Sequence, residues 1–447
     1  MGTTKDLASF VANTNFSDFP DDVKEHAKLC IIDWLGAAIA GSLEPAAKIA
    51  TSLIKEIEGK KESTIIGTRI KTSCMNAALV NGISGHAVEL DDIHENSIIH
   101  PAAPVIPAAL AVAESNNASG RNLITSIILG YEIEIRIGMS MNPSHYRFWH
   151  TTGTCGTFGA AAAAGKILGL DSEKMVHALG IAGTQAAGLI EVFGTMSKPL
   201  NPGRAAMDGV LAALLAQRGF TSSARILEAE KGYFQAGAEK YDLNKATEDL
   251  GKRFELKNNI FKVHASCGHT HGAIDAILLL AKKHDLQTDD INEILVGTYP
   301  IAVEVVGKNY KPKTASEAKF SLPYCLATAL VYGKVGLAEF SEKRLRNSKI
   351  QELSKKVKVM IDPQYFNARL GCAKVTVRTV EGRELICVVD VPKGYPKNPL
   401  KKVELEEKLN GLVALVLPKE RVNKIVEAVN SLERLDNIEL LTALVRK

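Results

Sequence analysis

The chain has no run of about twenty apolar residues, no Cys-x-x-Cys pair and no block of basic residues. Without the first, no stretch reads as a membrane span. Without the second, the seven cysteines (Cys30, Cys74, Cys155, Cys267, Cys325, Cys372 and Cys387), odd in number and widely spaced, read as reduced, mostly buried thiols of a cytoplasmic protein. Without the third, and with a formal charge of only +4, nucleic-acid binding is not favoured. The opening "MGTTKDLASFVANT" lacks a basic stretch followed by an apolar run, so no signal peptide is expected. There is also no P-loop, no GxGxxG after a strand, no GxSxG and no HExxH. Nucleotide binding and the familiar hydrolase elbows are therefore unsupported.

What is present is a globular composition, 46% apolar and 23% charged, over 447 residues, too long for one ordinary core. The first two-thirds read as helix. In "DDVKEHAKLCIIDWLGAAIAG" the aspartates suit a helix start, and Val23, Ala27, Cys30, Ile31 and Trp34 share one face. "GTFGAAAAAGKILGL" and "GRAAMDGVLAALLAQRGF" are rich in Ala and Gly, which lets helix axes approach closely. Near residue 265 the pattern changes. "INEILVGTYP" is rich in β-branched residues, and "CAKVTVRTVEGRELICVVDVP" alternates around "EGR" as a hairpin from about 372 to 392. The expected fold is mainly α: an all-helical domain of residues 1–265 plus 400–447, with a smaller α+β domain, residues 266–399, inserted into it.

Four clusters carry candidate chemistry. "ELDDIHENSIIHPAAP" sets Glu89, Asp91, Asp92, His94 and His100 ahead of a proline. These types suit metal ligation, an acid/base site, or the polar end of a helix. Asp91, Asp92 and His94 lie too close in sequence to share one helix face. His100, in a loop before a proline, is free to aim at a ligand and transfers protons near neutrality. In "YRFWHTTGTCGTFGAAAAAG", His150 stands at the entrance of an Ala-rich helix, whose N-terminus favours anions. In "GTMSKPLNPGRAAMDG", Lys198 reads as a loop residue before Pro199, and Arg204 as opening the next helix, a pairing that suits a carboxylate or phosphate clamp. "FKVHASCGHTHGAID" holds Lys262, His264, Cys267, His269 and His271, too compressed for four zinc ligands from one segment, and reads instead as a basic wall of a cleft. The excess of cationic side chains points to a small polyanionic substrate.

Taken in order, "HAVELDDIHENSIIHPAAPVIPAALAVAE", "FWHTTGTCGTFGAAAAAGKILGL", "MSKPLNPGRAAMDG" and "HASCGHTHGAIDA" resemble the successive signature segments of the MmgE/PrpD family. The family includes 2-methylcitrate dehydratase, cis-aconitate decarboxylase and iminodisuccinate epimerase. The resemblance implies that the inserted α+β domain is a lid, and that the protein is a homodimer that works without cofactor or metal on a small di- or tricarboxylate. From composition and charge, neither nucleic acid nor membrane is expected as partner. It places active-site positions on Glu89, Asp91, Asp92, His100, His150 and Tyr324 of "FSLPYCLATAL", with Lys198, Lys262, Arg204, His269 and His271 toward the substrate. The members share one step, a carbanion made next to a carboxylate. Where cis-aconitate decarboxylase has aspartate and threonine, this chain has Glu89 and Ile93. Dehydration of a 2-methylcitrate- or citrate-like hydroxy-acid is therefore the leading expectation, with epimerisation or decarboxylation as alternatives. A metal-dependent hydrolase built on Asp91, Asp92, His94 and His100 is the remote one.

Overall fold

The computed structural model describes residues 2–368 and 371–447. It is 59% helical and 9% strand, so the chain is mainly α with a small α/β portion. It divides into two compact units, Met1–Asn259 with Lys401–Lys447, and Ile260–Leu400. Among the described residues, no single helix is long and apolar enough to cross a membrane. All seven cysteines are free thiols, and five are buried.

Among the described residues, the N-terminal part of the first unit carries nine helices of eleven residues or more: α1 (Thr3–Asn13), α2 (Asp21–Gly41), α3 (Pro45–Ile57), α4 (Cys74–Ala87), α5 (Ala102–Ser115), α6 (Gly120–Met141), α7 (Thr151–Ile167), α8 (Ser172–Gln185) and α9 (Ser197–Gln217). Their starts follow from local chemistry. Ser73, Ser119 and Asp171 accept hydrogen bonds from the backbone of α4, α6 and α8, satisfying N–H groups that a helix start leaves unpaired. The apolar face read on α2 is buried, but from Cys30 to Gly41 the helix is buried all round. It packs on α4, α5 and α6 and on the late helix Lys402–Val413, so a one-sided stripe would not suffice.

Small residues set the closest helix crossings. A Cβ on Gly209 of α9 would lie 2.5 Å from the Ala160 Cβ of α7. A Cβ on Gly82 of α4 would lie 2.7 Å from the Gly203 Cα of α9, closer than real Cβ contacts come. This second crossing lies one turn before His86 and just over one turn after Lys198. Backbone contact there brings the end of α4 to the beginning of α9.

Lys198 itself is not in a loop. It lies in the first turn of α9, and Arg204 is in the same helix rather than opening another. Pro199 fits because the first turn has no intrahelical use for its missing N–H, while Pro202 is carried inside the helix.

Polar groups in the first unit's core are mostly fastened. Arg136 is fully buried and donates to Glu132 at 2.9 Å, Glu248 O at 2.7 Å and Arg253 O at 2.6 Å. Lys408, from the late helix, bonds Asp33 at 2.6 Å and Leu90 O at 2.7 Å, tying α2 to the acidic segment.

The second unit is α+β. Its four-stranded sheet has the order Val357–Ile361, Ile291–Thr298, Ala373–Thr379, Glu384–Val389. The first pair is parallel and the other two are antiparallel. The last pair is the hairpin expected around "EGR", with Val375 opposite Cys387 and Gly382 at φ 83° in the turn. Helices His271–His284 and Leu322–Tyr332 pack on each other, and the former covers the hairpin.

Glu134, on α6, stands apart from the fastened groups. It is fully buried, and neither carboxyl oxygen has a hydrogen-bond partner among the described residues. Burial, with the nearby Asp92 carboxyl, raises its pKa well above the ordinary 4.5. Below that pH the group is protonated whether the chain is folded or not. Above it, folding must take up a proton, so stability is lost as pH rises, by about 1.4 kcal/mol per unit until the folded value is passed. Glu134→Gln removes that slope. Urea unfolding should show the variant gaining on the wild type as pH is raised from about 5 to 7. A constant difference would mean that Glu134 folds as an ion.

Candidate active site

The acidic segment is shaped by its two ends. As α4 finishes, Glu89 takes a left-handed backbone at φ 58°, and Ile98 does the same at φ 53°. For an L-residue other than glycine this costs about 1–2 kcal/mol, and a β-branched residue rarely adopts it. Between them the chain doubles back, with His94 and Ile99 paired across the loop.

Asp91 and Asp92 then point in opposite directions. Asp91 is fully buried and meets two imidazoles. Its Oδ2 lies 2.6 Å from His86 Nδ1 and 3.4 Å from His100 Nδ1. Burial alone would push this carboxyl up, but the two histidines reverse that and hold it well below its usual range. Asp92 accepts from Ala102 N at 2.9 Å, Tyr131 Oη at 2.9 Å and Asn259 Nδ2 at 2.7 Å. It thereby fastens the start of α5 to α6. Burial and the Asp33 and Asp91 charges keep its pKa raised despite those donors.

The histidines form a cluster. The rings of His86 and His100 meet edge to face at 4.8 Å, and His150 lies 5.5 Å from His86. His150 is the N-cap residue of α7. Burial, then His86 and Lys198, lowers its pKa well below 6.5, so the ring is neutral at pH 7. The side-chain amide of Asn201 faces His150 Nδ1 at 3.1 Å, which leaves the ring proton on Nε2. Phe193 presses on His150 at 4.9 Å, and the Lys198 ammonium stands 5.5 Å over the same Phe193 ring. Lys198 also forms a buried ion pair with Glu89. Glu89, Asp91, His100, His150 and Lys198 are thus brought together by the ends of α4, α5, α7 and α9. His86, Asn201 and Phe193 join them without having been singled out in the sequence.

Other candidates from this unit lie differently. Arg204 is half exposed and bonds Asp208 at 3.1 Å and Gln185 O at 3.4 Å. His94 turns to Ser97 at 2.8 Å and Glu255 at 3.8 Å. A hydrolase centre joining Asp92 and His94 to Asp91 and His100 therefore finds two of its four groups committed elsewhere. The group able to hold a metal among the described residues is His86, Asp91 and His100, whose ligand atoms lie within 4.8 Å of one another. Within that group His86 Nδ1 and Asp91 Oδ2 are joined by the 2.6 Å hydrogen bond.

In the second unit, Lys262 is fully buried. Burial, with the Lys262 charge, lowers the pKa of His269 to about 4, and His269 Nδ1 meets Tyr299 Oη at 2.7 Å. His271 begins its helix with its ring 5.1 Å from that of His264, which bonds Asp275 at 2.9 Å. Tyr324 is buried and donates to Glu339 O at 2.8 Å.

Comparison with known proteins gives this arrangement its frame. Residues 5–246 match the MmgE/PrpD N-terminal domain, and residues 264–434 match the MmgE/PrpD C-terminal domain. The chain belongs to the MmgE/PrpD family. One relative is the cis-aconitate decarboxylase-like protein oryM of Aspergillus oryzae, 29% identical over 99% of this chain and 97% of its own. Human cis-aconitate decarboxylase is also 29% identical, over 99% and 94%. The 2-methylcitrate dehydratase of Escherichia coli is 20% identical over 97% and 94%. This MmgE/PrpD chain is thus similar over nearly its whole length to small-molecule enzymes, and decarboxylases precede the dehydratase in similarity.

The buried Glu89–Lys198 pair can be tested directly. Lys198→Met removes the cation facing Glu89 and should destabilise the fold by about 3–5 kcal/mol. Adding Glu89→Gln should restore much of that loss. Chemical denaturation of both single variants and the double variant checks this. A double variant no more stable than Lys198→Met would show that the pair is not coupled.

Proposed function

We propose that the protein is a cofactor-free lyase for a small di- or tricarboxylate, working through a carbanion next to a carboxylate. Loss of carbon dioxide from a cis-aconitate-like substrate is the reaction it fits best. The observation that carries this reading is the cluster of His86, His100 and His150 around the ionised Asp91, with Lys198 beside it. The similarity to cis-aconitate decarboxylases over 99% of the chain supports the choice among reactions.

In this reading Lys198 offsets substrate charge, at the site of its present pairing with Glu89. The bond from carbon to the departing carboxylate breaks, carbon dioxide leaves, and the electron pair remains on the conjugated carbon skeleton. A neutral His150 donates a hydrogen bond from Nε2 to the developing charge. His100, facing Asp91 and in its protonated form, gives the carbanion a proton from Nε2, and solvent then restores that proton. One proton is consumed for each carbon dioxide released.

Dehydration of a 2-methylcitrate- or citrate-like hydroxy-acid is the second reading. It is favoured by Glu89 and Ile93, where cis-aconitate decarboxylase has aspartate and threonine, and by the dehydratase relative. There His100 Nε2 would remove the proton next to the carboxylate, and hydroxide would leave.

A panel of aconitates and hydroxy-acids separates the two. Carbon dioxide release from cis-aconitate supports the first. Enoate absorbance from a hydroxy-acid without carbon dioxide supports the second. Neither product, together with no exchange of the α-proton in deuterated water, would overturn both. Activity is expected to survive chelator treatment, whereas stoichiometric metal with activity lost to chelator would end the cofactor-free reading. His100→Phe and His150→Phe should fold, by circular dichroism, and lose at least about a hundredfold in turnover. Wild-type turnover in both would move proton transfer to the carboxylates.

A further inference from the structure

His86 is the most deeply buried histidine of the cluster: its side chain is 0% exposed, whereas that of His100 is 17% exposed. Both Nδ1 atoms converge on the same oxygen, Asp91 Oδ2, but it is His86 that is hydrogen-bonded to it, at 2.6 Å, while His100 stands at an ion-pair distance of 3.4 Å. Asp91 Oδ1 and His86 Nε2 are buried and have no hydrogen-bond partner among the described residues. The short bond from the end of α4 is therefore what holds the carboxylate in its present orientation. Around the trio stand His150, 5.5 Å from His86, then Lys198 and Glu89, whose charges act on His150, and Asp92 on the far side of Asp91.

We propose that His86 is a positioning residue for this reaction: by donating from Nδ1 to Asp91 Oδ2 it holds that carboxylate toward His100, so that His100 keeps a proton on Nδ1 and exchanges protons with substrate through Nε2. The role rests on the proton-transfer reading of His100. An Asp91 carboxylate without its donor is a buried charge and takes up a proton. His100 then loses the anion that favours its charged form and the acceptor that selects its tautomer.

Two substitutions of similar shape separate positioning from mere filling of space. In His86→Asn the amide N–H lies near the place of Nδ1–H. In His86→Gln the amide reaches toward the Nε2 position instead. Protein carrying nitrogen-15 in its histidine side chains, studied without substrate, reports which nitrogen of His100 holds the proton. Wild type and His86→Asn should both show it on Nδ1, and His86→Gln should not. In turnover assays, His86→Asn should stay close to wild type. His86→Gln should fall about a hundredfold in kcat with KM little changed. The limb of its kcat–pH profile that belongs to His100 should move about one unit to lower pH, since a neighbouring anion no longer supports the imidazolium. A His86→Gln variant that keeps both the Nδ1 signal and the wild-type limb overturns the proposal, as does a folded His86→Asn variant that loses them. The nitrogen-15 measurement needs no turnover. Failure of the whole substrate panel would therefore refute the carboxylate-lyase reading while the tautomer of His100 still decides the role of His86.

Discussion

A fully buried carboxylate held as an ion by its neighbours is the constraint on which the rest of the site depends. Asp91 is fully buried, and its charge is tolerable because two imidazoles face it. To supply them, α4 must end beside the start of α5, and the connecting chain must turn sharply enough to need left-handed backbone at Glu89 and Ile98. The glycine crossing of α4 and α9 serves the same end, because it brings a lysine to the glutamate that follows His86. Strain, close packing and charge compensation are here one arrangement viewed at three scales.

The neighbouring aspartate shows how adjacent residues divide the work. In an extended or turning segment, consecutive side chains point to opposite sides. Asp91 faces the histidines, while Asp92 closes the start of α5 and reaches Tyr131 on α6. The loop is thereby anchored by Asp92, while Asp91 is turned to the imidazoles. The two facing histidines hold Asp91 well below its usual range against the effect of burial, whereas burial raises Asp92 despite its hydrogen-bond donors.

Much of this is legible in the sequence, and the exceptions have physical causes. The mainly α composition and the late hairpin follow from periodicity, which records burial on one face at a time. The total burial of α2 beyond Cys30 does not, because periodicity cannot show that both faces are covered. The candidacy of Glu89, Asp91, His100 and His150 shows in their residue types and their places at helix ends. Lys198 reads as a loop residue because prolines at 199 and 202 break the local helix signal, yet packing of the Ala- and Gly-rich remainder extends α9 back over them. His86 escapes notice because it sits inside a helical pattern, where a histidine looks like any buried polar residue. Its nearness to Asp91 in sequence is a signal, but only the left-handed turn at Glu89 folds the chain back so that the two meet.

The ammonium of Lys408 that ties Asp33 to the carbonyl of Leu90 has a consequence in time. A ribosome delivers the histidines and Asp91 early and Lys408 almost last, on the order of tens of seconds later. During that interval the nascent chain holds a charged, strained loop without the strut that fastens it from behind. A chain cut short near residue 400 would carry all of the candidate residues discussed above and still lack the means to hold them still.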